Sequence, residues 1–536
     1  MSSLPDPIRQ GLAQGWKVLG AEHGPLPDRL TVDVAVVGSG AGGGITAELL
    51  ACAGLKVLLI EEGPLRSSTD FKQRESDAYP QLYQDAGSRK TADKGISILQ
   101  GRCVGGSTTV NWTSSFRTPT PTLAHWREHF GLGDFTPEAL APWFEQAERR
   151  VNVDDWVTDP NPNNSVLAAG AAKLGIPAPR IRRNVKGCWN LGSCGMGCPT
   201  NAKQSMLVTT VPAALNAGAQ LFVQTRVERL LVQGQTVQGL HCVSVGLNGA
   251  PTGEECTVSA RHVVLAGGAI NTPALLLRSK APDPHGRLGR RTFLHPTVVS
   301  AATFDARIDG WSGAPQTVYS DHFLGTQPVD GPLGYKLEAA PLYPVIMATT
   351  MAGFGTEQVA QLAQFPHTQV LLALLRDGFH PDSQGGRVRL KNDGSPELDY
   401  PLNAPVMEAV RRAFLSMAEI QFAAGARTVQ PLHEQAPAYG AWADARAGIQ
   451  SLDLKPLFTR VVSAHVMGGC GMASSPERGV TRPDGTHWQW ENLSVHDGSL
   501  FPTSIGANPQ LSIYGLVTRL SHGLAQRLGA KPVALA

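Results

Sequence analysis

With 536 residues, the chain is too long for one hydrophobic core, which predicts at least two domains. Its 46 basic and 44 acidic residues nearly cancel to a formal charge of +2, which excludes the electrostatic footprint of a nucleic-acid binder. A composition of 42% hydrophobic and 17% charged residues excludes a disordered chain, and 58 glycines with 39 prolines predict many tight turns.

The first residues, Met1 to Gly24, lack the basic-then-apolar layout of an export signal and carry no twin-arginine pair. A cytoplasmic location is expected, with this segment as an amphipathic surface helix. Thr31 to Val37 reads TVDVAVV, a β-branched run that predicts a buried parallel strand. GSGAGGG follows at once, and Gly38, Gly40 and Gly43 fit G-x-G-x-x-G. A helical stretch comes next, and KVLLIEEG then forms a second strand that ends in acid. The glycines permit a tight turn, a close backbone approach by a pyrophosphate and close helix packing. The helix N-terminus adds free N–H groups and positive potential. Glu61 lies 23 residues after Gly38, near the ~20 expected for a ribose-binding acid. Together these predict a dinucleotide site and leave FAD versus NAD open.

Five of the eight cysteines are scattered, as buried apolar residues would be. Cys188, Cys194 and Cys198 are clustered as C-x5-C-x3-C in a glycine-rich loop. Such thiols can converge on a soft metal centre, pair as one disulfide plus a thiol, or stay three buried thiols. Zinc is a further reading, but a structural zinc wants four ligands and no fourth Cys or His lies near. Two uncharged stretches, Ala339 to Thr356 and Gln358 to Leu375, are broken by prolines and fall short of the ~20 apolar residues of a spanning helix. They predict core or a greasy pocket wall, with contact at a membrane surface left open.

Four further segments, different from one another, follow along the chain. Gly101 to Arg117 reads GRCVGGSTTVNWTSSFR, residues 263–279 read VVLAGGAINTPALLLRS, Ser463 to Met472 reads SAHVMGGCGM, and Asn492 to Asn508 reads NLSVHDGSLFPTSIGAN. With the first glycine motif, these resemble the signatures of the glucose-methanol-choline oxidoreductases over nearly the whole chain. Residues 300–450 match that family only in length and character. One departure is Lys280, where glycine is usual, and it is expected to alter a turn. The second of these segments is expected to be a strand, a glycine turn and a helix capped near Asn271 and Thr272.

The resemblance implies an α/β fold: a Rossmann-like FAD-binding domain interleaved with an α+β substrate domain that contains an antiparallel sheet. The FAD domain would take residues 28–125, 200–300 and 455–530, the substrate domain 126–199 and 301–454, and residues 1–27 an N-terminal extension. It implies FAD held by Gly38, Gly40, Gly43, Glu61, Gly101, Gly105, Gly106, Ser107, Asn111, Val227, Asp497 and Gly498. Val110 stands where some relatives carry a histidine bonded to FAD, so by that route the cofactor is non-covalent. The implied reaction is oxidation of an alcohol, with hydride passing to the flavin. His465 would be the base, because imidazole titrates near neutral pH, and Asn508 would orient the substrate oxygen. His496, beside Asp497, reads as structural or flavin-contacting.

The three cysteines resemble the cluster loop of bacterial sugar dehydrogenases, which relay electrons through iron–sulfur to a cytochrome. They also resemble, with Ala202 to Ser205 (AKQS), the metal-free loop of long-chain fatty alcohol oxidases. The leading expectation is an apolar or bulky alcohol as substrate, the next a cluster-bearing sugar-type dehydrogenase, and the third a flavin lyase or photoenzyme on the same fold. The electron acceptor stays open among O2, a quinone and a cytochrome.

Overall fold

The computed structural model describes residues 4–351 and 353–535. The expected dinucleotide unit forms as the β-branched run predicts. Strand Arg29–Val37 buries Val34, Ala35 and Val36 completely and pairs in parallel with Val57–Ile60 on one side and Pro251–Leu265 on the other. Gln220–Phe222 and Val18–Leu19 extend the sheet past Val57–Ile60. Leu493–Val495 pairs in parallel with Pro251–Leu265. The far half is antiparallel: Thr225–Gln233, Thr236–Val245 and Pro251–Leu265 form a meander. A Rossmann-like unit is mostly parallel, and here only one half of the sheet is. The tight connections at Gly234 and Gly249, both at positive φ, allow sequential strands to reverse instead.

Helix Ala41–Cys52 starts directly after Gly40 and packs close to its own strand. A Cβ on Gly43 would lie 1.8 Å from the Gly38 carbonyl oxygen, so only glycine fits there. The C-terminal helix Gln510–Arg527 packs against this helix. Across it, Glu48 is buried and accepts from Arg150 Nε at 2.8 and 2.9 Å.

A second, seven-stranded sheet is mostly antiparallel. Its centre is Thr297–Thr303, flanked by Thr368–Leu375 and then Tyr335–Glu338, with Thr428–Pro431 and Val461–Ser463 on the other side. Ile96–Ile98 pairs in parallel with Val461–Ser463, so this layer draws strands from both ends of the chain. Helix Ala404–Ala423 covers one face, burying Phe414 and Met417 fully against Leu371, Ala373 and Leu375. A third sheet joins Pro396–Asp399, Gly386–Leu390, Arg290–Phe293 and Met467–Gly468.

The N-terminal segment differs from its expectation. Residues 1–3 lie outside the described residues, and the helix spans only Pro7–Ala13, capped by Asp6. Gly15 at positive φ follows, and Val18–Leu19 is drawn into the first sheet as its edge. The second signature's helix begins at Gly268, three residues before the expected cap, because Thr272 is used elsewhere. Lys280 sits at a φ of 54°, the left-handed turn that a glycine would take without strain. The two uncharged stretches split into short helices Pro344–Thr350 and Thr356–Ala363, with residue 352 between them undescribed, and the fully buried strand Thr368–Leu375. Among the described residues, no helix is long and apolar enough to cross a membrane.

Candidate active site

One deep cleft runs between the first two sheets, and four distant segments of chain meet in it. Gly38, Gly40, Gly101, Gly106 and Ser107 form a wall of nearly bare backbone. A Cβ on Gly106 would stand 2.8 Å from the Gly40 Cα, so the two glycine turns face each other closely. Side chains at either point would fill the space where helix Ala41–Cys52 directs its N-terminus. This is the geometry that a pyrophosphate needs. Val227 lines the same cleft. Gly43 and Gly105 do not line it; they act behind the wall, Gly43 by helix packing and Gly105 by donating its N–H to Ser39 Oγ at 2.9 Å.

Glu61 is buried at the end of its strand. It accepts from Ser39 N at 3.0 Å, Ser39 Oγ at 2.6 Å and Gly63 N at 2.8 Å. Burial pushes its carboxyl up while these donors oppose the shift. Three donors leave room for one more on a carboxylate, which fits a ribose hydroxyl. Asp497 is different. Its four acceptor positions are all taken, by Gly268 N, Thr272 Oγ1, Ser499 N and Ser499 Oγ at 2.5–2.8 Å. Its carboxylate therefore fastens two loops, and Gly498 beside it lines the cleft. Asn111 also lines the cleft and donates to Gln510 Oε1 at 2.5 Å. Val110 lines the wall with no nucleophilic atom. His496 is fully buried, bonds Thr46 Oγ1 at 2.9 Å and stays out of the cleft, so it is structural.

His465 and Asn508 both line the cleft although they come from separate loops. Each is held by a residue that the sequence reading missed. His465 Nδ1 lies 3.3 Å from His295 Nδ1. The Gly506 N–H donates to His295 Nε2 at 3.0 Å, so neutral His295 carries its proton on Nδ1, facing His465. His465 then accepts on Nδ1 and holds its own proton on Nε2. Burial, aided by the Lys336 charge, lowers the His465 pKa to about 3, and burial also drives His295 well down. Both rings are neutral near pH 7.

Asn508 Nδ2 donates to Glu338 Oε2 at 3.2 Å. A carboxylate only accepts, so Glu338 fixes which way the amide faces. One Nδ2 hydrogen and the buried, unpartnered Oδ1 of Asn508 remain free. Lys336 Nζ stands 3.7 Å from Glu338 Oε1 and 2.9 Å from the Phe116 ring centroid. Burial lowers the Lys336 pKa to about 8 and pushes Glu338 up, each opposed by the other's charge. The signal for this pair was present in the sequence. Two charges alternate in YKLE, inside an apolar neighbourhood, and such charges are buried only when paired. His295 carried no comparable mark.

One part of the remaining wall is apolar. Trp112, Leu372 and Leu374 line the cleft, backed by Leu342, Met347 and Val370. The short helices behind them expose Val345 and Val359, and the connection between the helices exposes Phe354.

The three clustered thiols do not support a metal centre. Among the described residues, no group of three His, Cys, Asp or Glu side chains gathers as a metal would require. Cys188 Sγ accepts from Asn190 N, Cys194 Sγ faces Arg183, and Cys198 Sγ is engaged by Thr200 Oγ1 and Lys203 N. The loop is ordered instead by Lys203, a buried ammonium that donates to the carbonyls of Thr109, Asn111 and Cys194 at 2.6–2.9 Å. This ties the cysteine loop to the cleft wall without a metal.

Known proteins place this architecture. Two family models described as GMC oxidoreductase match residues 79–297 and 381–516. An uncharacterized GMC-type oxidoreductase of Mycobacterium tuberculosis is 32% identical over 494 residues, covering 91% of this chain and 75% of that one. A long-chain-alcohol oxidase of Arabidopsis thaliana is 29% identical over 507 residues, covering 91% of this chain and 68% of that one. In structure, a variant of the Aspergillus oryzae formate oxidase superposes with a TM-score of 0.70 at 15% identity, covering 94% of this chain and all of that one. An FAD-dependent oxidoreductase of Chaetomium thermophilum gives 0.63 at 16% identity, covering 93% and 100%. The chain belongs to the GMC oxidoreductases, FAD-dependent enzymes that act on the CH–OH group of donors.

Proposed function

We propose that the enzyme oxidises a long-chain or otherwise apolar primary alcohol to the aldehyde, with His465 as the base and O2 as the electron acceptor. The observation that carries this reading is the meeting of His465 and Asn508 with an apolar wall of Trp112, Leu372 and Leu374 beside a glycine cradle. The relatives named long-chain-alcohol oxidases support both the substrate class and the acceptor.

Bound FAD supplies the hydride acceptor. Val110 gives it no covalent anchor, so trichloroacetic acid precipitation should release all flavin into the supernatant. Glu61 takes the ribose, and the facing turns at Gly40 and Gly106 take the pyrophosphate. The apolar wall receives the alcohol's hydrocarbon part and keeps water from the reacting carbon.

In the tautomer described, His465 Nε2–H donates to the alcohol oxygen and Asn508 Oδ1 accepts the hydroxyl hydrogen. That arrangement binds and orients. Removing the proton needs a lone pair on Nε2: the His295 Nδ1 proton passes to His465 Nδ1, the His465 Nε2 proton leaves to solvent, and His295 Nε2 takes one from solvent in place of its bond from the Gly506 N–H. The free Nδ2 hydrogen of Asn508 then holds the developing alkoxide.

The test is a chain-length series with coupled detection of aldehyde and hydrogen peroxide. The expected result is a rise in kcat/KM with alkyl length and one peroxide per aldehyde. Equal or better turnover of sugars or of short polar alcohols would refute the substrate class, and aldehyde without peroxide would refute O2.

A further inference from the structure

A second cavity, of about 520 Å³, lies on the third sheet and shares no lining residue with the FAD cleft. Its walls carry six arginines, Arg287, Arg290, Arg291, Arg387, Arg389 and Arg478, against one acid, Asp399. Six of the chain's 46 basic residues meet here, although its formal charge is only +2.

Asp399 is committed to Arg389, at 2.5 Å. None of the other five arginines has a carboxylate within ion-pair distance among the described residues. Arg287 and Arg478 donate to the backbone carbonyls of Glu477 and His129, which fix their heads without neutralising them. Arg290 and Arg387 make no side-chain hydrogen bond or ion pair among the described residues. They stand directly opposite each other across antiparallel strands. Like charges in that register are destabilising unless something of opposite sign lies between them.

The floor is built. Arg291 is held at a φ of 55°, where the strand register slips between Arg290 and Thr292. A non-glycine residue there is strained. Its guanidinium lies over the Phe130 and Phe293 rings at 5.4 and 5.2 Å and donates to Pro502 O, Gly378 O and Gln384. Burial, with Arg287 nearby, lowers its pKa to about 10, so it remains charged at neutral pH.

We infer that this cavity is a binding site for a multiply charged phosphate group, with Arg290 and Arg387 as its principal ligands. Guanidinium forks match phosphate oxygens two at a time, and the concave shape suits a compact polyanion better than a flat partner surface. The phosphate can belong to a soluble compound or to a lipid headgroup.

The experiment uses the FAD-loaded enzyme in two arms. Calorimetric titration with inorganic pyrophosphate reads the soluble arm, at low and at about 0.15 M salt. Flotation with phosphatidylcholine vesicles, with and without phosphatidic acid, reads the lipid arm. The variants are the double change Arg290→Gln/Arg387→Gln and the single change Arg387→Glu. Arg387→Glu pairs with Arg290 across the strands, so it should fold at least as stably as the parent, with alcohol oxidation unchanged. Saturable binding in either arm, weakened about tenfold or more by both variants, supports the site, and the responsive arm names the source. Absence of binding in both arms, or binding that both variants leave intact, overturns it.

Discussion

The two parts of the cleft are built by opposite means. The nucleotide part is backbone: turns at Gly38, Gly40 and Gly106, a helix N-terminus and one strand-end acid, all set by short contiguous motifs. The catalytic part is side chains from four distant segments, around 295, 336–338, 465 and 508. The first tolerates no added atom, because its function is to leave room. The second tolerates little electrostatic change, because each reacting group is oriented or kept neutral by a buried neighbour. Substitutions in the two parts should therefore fail differently, the first by losing fold or cofactor and the second by losing turnover with the cofactor still bound.

The largest effect is expected at the base. His465→Gln should lower kcat about 10²–10⁴-fold with flavin content unchanged, as measured by steady-state turnover per bound flavin. Next, Glu338→Gln should cost about tenfold or more in kcat/KM, because Asn508 loses the partner that sets its amide direction. Glu338→Asp should recover part of that loss, whereas a merely space-filling role would make Asp the poorer substitute. In the nucleotide part, Gly43→Ala would force a Cβ to within 1.8 Å of a carbonyl oxygen. It should destabilise the fold by about 1–3 kcal/mol and lower flavin occupancy, read by thermal unfolding and the flavin-to-protein absorbance ratio.

A smaller effect separates the charges in the catalytic part. A base must be unprotonated to work, so with His465 in the proposed role activity should be lost as pH falls through its pKa of about 3, and a second change is expected as Lys336 loses its charge near pH 8. The Lys336 ammonium helps hold that value down. Lys336→Met should therefore raise it and move the acid limb of the kcat/KM profile upward by about one pH unit. An unmoved limb would remove Lys336 from the catalytic part. Smallest of all, Cys188→Ser or Cys194→Ser should leave the visible spectrum and turnover unchanged, since no metal is expected at either thiol.

This contrast also explains what the sequence disclosed. Gly38, Gly40 and Glu61 were legible because one strand, one turn and one helix build their contacts within about 25 residues of chain. His465 and Asn508 were legible only through resemblance, since nothing local marks a histidine as a base. His295 was not legible. Its role rests on Gly506, 211 positions away, and on the His465 ring, 170 positions away, which meets it only because Arg290–Phe293 and Thr297–Thr303 pair with Met467–Gly468 and Val461–Ser463. The sequence left the cysteine loop open between a cluster and a metal-free loop because spacing alone does not state where sulfur atoms point; three hydrogen bonds from Lys203 order that loop. The antiparallel meander was missed because a strand's alternation reads alike in either direction.

In the proposed reaction, alcohol oxidation starts with proton removal by His465 in a cleft that holds FAD. The most direct measurement is anaerobic stopped-flow reduction of the bound flavin by a saturating long-chain alcohol, in the parent enzyme and in His465→Gln. Rapid bleaching of the oxidised flavin is expected in the parent and bleaching slowed at least about 10²-fold in the variant, with equal flavin content. Bleaching at equal rates in the two proteins would contradict it.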